Sequence, residues 1–370
     1  MDIEAFFDHI GQSQIRKLSL DFNQNKIGDS NIKSLCKGIA KCINLKKLQL
    51  SLQKNELSSQ SVNQIVQSIS NFSNLNTLSL NLKSNQMKDI AAQKIGLALN
   101  NCLSIKSLFL RLNENQIEDE GISNIGYAIS KMSQLNDLHL YLKDNQISDG
   151  GATKLTLSLS FCKIIQLFVL DIQSNNISEN GAMGIGMAVS QLKNISHFEL
   201  NSYFNNISTV GCSKLAIGIS QCKFLTFLNI NLSSNRISDE GIKCFGIQIL
   251  KCENMNTLNL DFKQYNFLFF KIQLNILYLS YNSITVIGAK FFEQQMPKLK
   301  LLKNFSLDIS YNNFQKQDYN QLGKFLKNCQ QIFILSIFFS STSPNEIFVG
   351  QKFKWRCLKA KRAVLFKSKN

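Results

Sequence analysis

The sequence predicts an α/β solenoid, a horseshoe of stacked coils with a parallel concave sheet and convex α-helices. Two observations carry that prediction. Asparagine recurs every thirty residues at Asn25, Asn55, Asn85, Asn115, Asn145, Asn175, Asn205 and Asn235, and the step resumes at Asn282 and Asn312. A fixed period of this length marks a chain built from one stacked unit. Within each period the hydrophobic spacing changes from two to about 3.6, so a strand and a helix alternate.

Counted from its asparagine, each unit is apolar at −10, −7, −5 and −3: Leu45, Leu48, Leu50 and Leu52, then Leu75, Leu78, Leu80 and Leu82, then Ile105, Leu108, Leu110 and Leu112. Alternation over the last three is a strand with one buried face. After the asparagine, apolar residues fall at +7, +10 and +14, as in Ile122, Ile125 and Ile129 or Ile242, Phe245 and Ile249. That spacing is one face of an amphipathic helix. Helices about 10 Å wide against strands about 4.8 Å apart force the stack to curve with its strands inside.

The asparagine is expected inside the coil. The chain turns after the strand, and a buried amide can pair the backbone groups left there on its own coil and the next. Asp29, Asp89, Asp119, Asp149 and Asp239 are placed to accept N–H bonds as helix N-caps. Gly121, Gly151, Gly181, Gly211 and Gly241 relieve crowding in the first helical turn. The small column Gly38, Ser68, Ala98, Ala128, Ser158, Ala188 and Gly218 lets each helix approach the sheet.

These residues resemble the leucine-rich repeat, LxxLxLxxNxL, in its long ribonuclease-inhibitor type with an NxIxxEG segment and an α-helix. Asn115-Gln116-Ile117-Glu118-Asp119-Glu120-Gly121 carries the likeness, which extends over about residues 15–342. Two extra residues precede the asparagine, giving LxxLxLxLxxN and a thirty-residue unit, as in leucine-rich-repeat families of ciliate protists. Some of those carry a protein kinase domain, so the resemblance also allows a regulatory fragment of a kinase-containing or GTPase-activating protein.

Of ten cysteines, Cys42, Cys102, Cys162, Cys222, Cys252 and Cys329 share one column that Phe72, Met132 and Leu192 also occupy. A column that accepts all four residue types is buried and apolar, and there cysteine is a small hydrophobe. With no CxxC pair and three histidines, neither a metal nor any other cofactor is expected. No P-loop, GxSxG, HExxH or kinase signature occurs, which argues against an enzyme. Met1-Asp2-Ile3-Glu4 does not read as a secretory leader, and no run of about 18 apolar residues exists. The sequence therefore predicts a cytoplasmic protein.

Three regions leave the register. Ile3, Phe6, Phe7 and Ile10 form a helical pattern over 1–14, suited to an N-terminal cap, ahead of repeats over 15–343. The ninth strand, Leu258, Leu260 and Phe262, arrives in phase, but Tyr265 replaces the asparagine and Asn282 follows seventeen residues on. The spacing suggests a lost helix and a short strand over Leu274, Leu277 and Leu279, irregular at 263–273. A bulge in the stack, a hinge or an error in the coding sequence would each account for it. Finally, residues 344–370 form a basic cap or tail; 347–370 carry eight Lys or Arg and no acid, half of the net charge of +16. Phe353, Trp355 and Cys357 alternate with Lys352, Lys354 and Arg356, as in an edge strand protected by charge.

The residues that a concave sheet would present are polar at both ends of the array. In the middle, repeats four to seven offer Phe109, Arg111, His139, Tyr141, Val169, Asp171, His197, Glu199 and Tyr203, flanked by Leu167 and Phe227. Aromatic and Arg residues on a polar background are the composition of a protein-binding hot spot. The expected function is a non-catalytic scaffold or adaptor for a protein partner, with no small-molecule substrate. The alternative is an adaptor for nucleic acid or an acidic membrane surface through the basic tail.

Overall fold

The computed structural model describes residues 14–70, 72–262, 282, 284–285, 287–288, 298–308, 312, 334–338 and 363–365. It forms two compact units, Met1–Asn176 with Gln191–Ile195, and Ile177–Ser190 with Ser196–Asn370. The helix expected over 1–14 and most of the basic segment over 344–370 lie outside the described residues, as do Cys329 and Cys357.

In the first unit, β1 (Lys17–Asp21), β2 (Lys47–Ser51), β3 (Thr77–Asn81), β4 (Ser107–Arg111), β5 (Asp137–Tyr141) and β6 (Leu167–Asp171) pair in chain order, each with the next and all parallel. Between them run α1 (Gly28–Ala40), α2 (Ser59–Ser70), α3 (Lys88–Leu99), α4 (Asp119–Ser130) and α5 (Asp149–Leu159). The second unit opens with α6 (Glu179–Gln191), followed by β7 (His197–Asn201), α7 (Ser208–Ile219), β8 (Phe227–Asn231), α8 (Asp239–Ile249) and β9 (Thr257–Asp261). β10 (Asn304–Asp308), β11 (Ile334–Phe338) and β12 (Ala363–Leu365) complete it, again parallel and in chain order. The register keeps like beside like: Leu48 pairs with Leu78 and Leu78 with Leu108.

The core is the set of columns read from the periodicity. Leu108, Leu110, Leu112, Ile122, Ile125 and Ile129 are all fully buried. The described members of the cysteine column, Cys42, Cys102, Cys162, Cys222 and Cys252, are buried and free. Burial pushes the Cys102 and Cys162 thiols up to about 11 and Cys252 to about 12, so they stay neutral. Their S–H groups face carbonyls of the coil before, Cys162 that of Ile129 at 3.3 Å and Cys252 that of Ile219 at 3.6 Å.

Asparagine closes each coil, but toward the opposite neighbour from the one expected. Asn115 Oδ1 accepts the backbone N–H groups of Asn85 (2.9 Å) and Met87 (3.4 Å) in the coil before. Its Nδ2 donates to the Leu82 carbonyl of that coil (2.9 Å) and to Asn113 in its own (3.1 Å). The reason is the polarity of the ladder. The N–H groups of the residue before the asparagine and of the asparagine itself point at the following coil, as Glu114 N–H does at the Lys143 carbonyl (2.8 Å), so the acceptor for Asn115 N–H comes from the following asparagine. The two extra residues of the thirty-residue unit lengthen this ladder: Leu112 N–H still reaches the Tyr141 carbonyl at 2.8 Å, beyond the end of β4.

The aspartates also act between coils. Asp119 lies inside the first turn of α4, and its carboxylate accepts from the Ser148 N–H (2.7 Å) and Oγ–H (2.5 Å) of the next coil. Asp239 does the same for Thr285, at 2.7 and 2.5 Å, and Asp89 accepts the Glu118 N–H at 2.7 Å. Asp29 accepts from Ser58 Oγ at 3.2 Å. None of these four caps its own helix, and α5 is capped by Ser148, whose Oγ accepts the Gly150 N–H at 3.2 Å, rather than by Asp149. The crowding that selects glycine also comes from the neighbour: a Cβ on Gly151 would lie 2.5 Å from Asp119 Oδ1 and 2.9 Å from its Cα. A Cβ on Gly218 would collide with the backbone of Gly186, so at this member of the small column the close approach is between neighbouring helices.

After β9 the expected lost helix is replaced by an insertion. Asn282 stands in the asparagine site of the ninth coil: its Oδ1 accepts from Asn235 N–H (3.1 Å) and Ile237 N–H (2.8 Å), and its Nδ2 donates to the carbonyls of Leu232 (3.0 Å) and Phe262 (3.3 Å). β9 pairs directly with β10, and the strand expected over 274–279 falls outside the described residues. Ile287 and Gly288 have helical backbone, and Asn312 Nδ2 donates to the Phe262 carbonyl at 2.9 Å. The coil is therefore continuous, with seventeen extra residues between Phe262 and Asn282. An asparagine found by its partners rather than by its spacing is the physical reason the sequence count misled.

Two outcomes follow for stability. Asn115→Ala removes four hydrogen bonds, three of them buried, and should lower unfolding free energy by about 3 kcal/mol in urea titration, whereas Asn25→Ala at the exposed first coil costs under about 1 kcal/mol. Excising residues 265–281, which joins Gln264 to Asn282 and restores the thirty-residue step, should leave cooperative unfolding within about 1 kcal/mol of the parent, since loop length costs little. Loss of folding on excision would mean that the segment is part of the stack.

Candidate functional site

The sheet face turned from the helices is built by the first, third and fifth residues of each strand. In β4 to β6 these are half-buried, apart from the exposed Arg111, while the second and fourth residues fill the core. In the first unit the register sets Phe109 beside His139 and His139 beside Val169, one row in from Arg111, Tyr141 and Asp171. Six of the nine residues singled out in the sequence thus share three adjacent strands, β4 to β6.

Their rings are ordered against one another. Phe109 and His139 stack with centroids 4.2 Å apart and planes 16° apart, and Tyr141 lies 6.4 Å from His139 at 19°. The Arg111 guanidinium sits 4.9 Å over the Tyr141 ring, a cation–π contact that holds an exposed cation in place. Asp171 closes the row. Its carboxylate accepts from the Gln173 N–H (3.3 Å) and Nε2 (3.1 Å), and burial raises its pKa above the ordinary carboxylate value. The cluster therefore combines a flat aromatic surface, one exposed cation and one sheltered carboxyl.

The other three residues belong to the second unit. His197 stacks on Phe227 at 4.0 Å with planes 6° apart, and its Nε2 lies 2.8 Å from Glu199 Oε1. Asn229 Nδ2 donates to the other Glu199 oxygen at 2.8 Å. Tyr203 lies two residues past β7, tilted against Phe204 at 6.0 Å. Phe227 thus belongs to this group rather than to its flank, and Asn229 joins it; the parallel register of β7 and β8 would have paired both with His197 and Glu199.

Sequence reading overlooked a second set of exposed residues on the solvent side of the helices. Leu97, Tyr127 and Leu157 in the first unit, and Met187, Ile217 and Ile247 in the second, all stand twelve residues after an asparagine. The signal was a column that is Lys37 and Gln67 in the first two coils and apolar in the next six. Among the described residues no group of His, Cys, Asp or Glu forms a metal site, and no helix is long and apolar enough to cross a membrane.

No curated protein matches the chain. A family model described as Leucine Rich repeat matches residues 108–126, 138–155 and 221–246. The first two matches run from β4 into α4 and from β5 into α5, and the third from just after α7 through β8 into α8. Together with the recurring strand–helix coil, these matches support a leucine-rich-repeat protein.

Proposed function

We propose that the chain is a non-catalytic scaffold that binds a protein partner on the strand face of its repeats, through Phe109, Arg111, His139, Tyr141, Val169 and Asp171 in the first unit and through His197, Glu199 and Tyr203 on the strand face of the second. Leucine-rich repeats are commonly protein-interaction modules, and a solenoid of this type is typically non-catalytic. The carrying observation is the ordered stack of Phe109, His139 and Tyr141 with Arg111 fixed over it. Side chains already held in one arrangement lose little entropy on binding, and Tyr and Arg are the residues most often responsible for affinity.

We assign the repeats to the ribonuclease-inhibitor-like type on the NxIxxEG segment and the full helices α1 to α8, and place the chain in the cytoplasm. A core that uses cysteine as apolar filler, with neutral thiols, suits a reducing compartment. The resemblance to ciliate families and their kinase-linked members adds no residue to the site.

Phe109→Ala combined with Arg111→Ala and Tyr141→Ala should reduce partner recovery from the native cell at least about ten-fold while leaving the circular dichroism unchanged. Unchanged recovery by the folded triple variant would sink the reading. Running the capture at two salt concentrations, with and without residues 347–370, identifies the alternative: binding through the basic segment disappears on its deletion and falls steeply with salt.

A further inference from the structure

The geometry points to a second docking surface on the solvent side of α3, α4 and α5, and we propose that it accepts an acidic amphipathic helix. Single exposed apolar residues are ordinary on a protein surface, but these repeat at one position of successive helices. Leu97, Tyr127 and Leu157 are 56, 55 and 42% exposed, and Ile90 on α3 and Phe161 just past α5 are also exposed, at 60 and 69%. These positions lie opposite the buried columns of the same helices, so the fold makes no use of them. The second unit repeats the arrangement with Met187, Ile217 and Ile247. A continuous apolar strip bordered by polar residues is the usual mark of an interaction site.

Charge selects the occupant. Lys94, Lys131 and Lys154 border the row and are exposed, and Lys131 Nζ lies 4.7 Å over the Tyr127 ring. Among the exposed residues of α3 to α5 the single acid is Glu120; Asp89, Asp119 and Asp149 are half-buried at the helix starts. A second copy of this face would set Lys against Lys, and like charges across an interface are penalised. A bilayer would need apolar groups standing about 5–10 Å into the headgroup boundary. Leu97, Tyr127 and Leu157 instead keep about half of their surface against the protein.

Spacing selects the shape. Neighbouring packed helices lie about 8–10 Å apart. Gly96 and Gly126 bring these three close, for an added Cβ would lie 2.8 Å from the Asn124 backbone and 2.9 Å from Leu155 Cα. Seven residues of a helix laid across them rise about 10.5 Å, which returns the same apolar stripe to each member of the row. An extended strand alternates its faces at every residue and cannot present every third residue to one side. Carboxylates flanking the stripe would meet the lysines.

A display library of randomised helical peptides, panned on the full chain and on its Leu97→Ser/Tyr127→Ser/Leu157→Ser variant, tests this surface. Sequences with an apolar stripe between Asp or Glu residues should be enriched at least about ten-fold more on the parent than on the variant. Lys94→Glu with Lys154→Glu should shift the selected flanks from acidic to basic. Equal enrichment on parent and serine variant, selection without acidic flanks, or no selection overturns the proposal. So does co-sedimentation with phosphatidylserine vesicles that the serine variant loses, which would assign the row to a membrane.

Discussion

The fold depends on pairing the backbone groups stranded where each coil turns from strand to helix. Those N–H and C=O groups are buried, and leaving one unpaired costs about 1–3 kcal/mol. One asparagine amide per coil pairs up to five of them: Asn85 accepts from Asn55 and Leu57 and donates to Leu52, Leu82 and Lys83. The side chain substitutes for a strand that has ended, and it does so between coils, so each coil is completed by the one that follows it. The carboxylates of Asp119 and Asp239 repeat the device at the helix starts, tying the turn of one coil to the first helical turn of its neighbour.

That dependence is local, which explains the ninth coil. Asn282 needs the Phe262 and Leu232 carbonyls and the Asn235 and Ile237 N–H groups within reach, and nothing in that set depends on how many residues connect Phe262 to Asn282. The step across the coil grows to 47 residues while β9 and β10 pair as their predecessors do. Contacts between nearest coils carry a solenoid, so one coil absorbs a long insertion without a change in its neighbours.

Strand, helix and core were legible because burial imposes a period on residue type, as Leu108, Leu110 and Ile125 illustrate. Interactions between coils were less so. Composition places Asp119 at a helix start but does not reveal that its carboxylate reaches forward to Ser148; the direction comes from the three-dimensional stack. Residues preceding the asparagine, such as Lys54, Glu114 and Phe204, adopt a left-handed backbone (φ 54° to 59°) without glycine to announce it. For the candidate site, alternation identified the presented residues, and the parallel register brought Phe109, His139, Arg111 and Tyr141 together. What alternation could not supply was the stacking of Phe227 on His197. The exposed row on α3 to α5 went unread because attention to buried columns passes over an apolar residue in a polar one.

Both surfaces use the same property of the frame. A ladder that fixes each coil against the next repeats any side chain at a constant step, so one apolar position becomes a row on the helices and one aromatic position becomes a stack on the strands. Native-state hydrogen exchange at the backbone N–H groups of Asn55, Asn85 and Ile117, each bonded to a side-chain Oδ1 of the following coil, tests that frame most directly. Protection equal to that of strand amides such as Leu108 and Leu110 is the result the account predicts. Exchange at the rate of open surface loops would contradict it, because the asparagines would then not be holding the coils together.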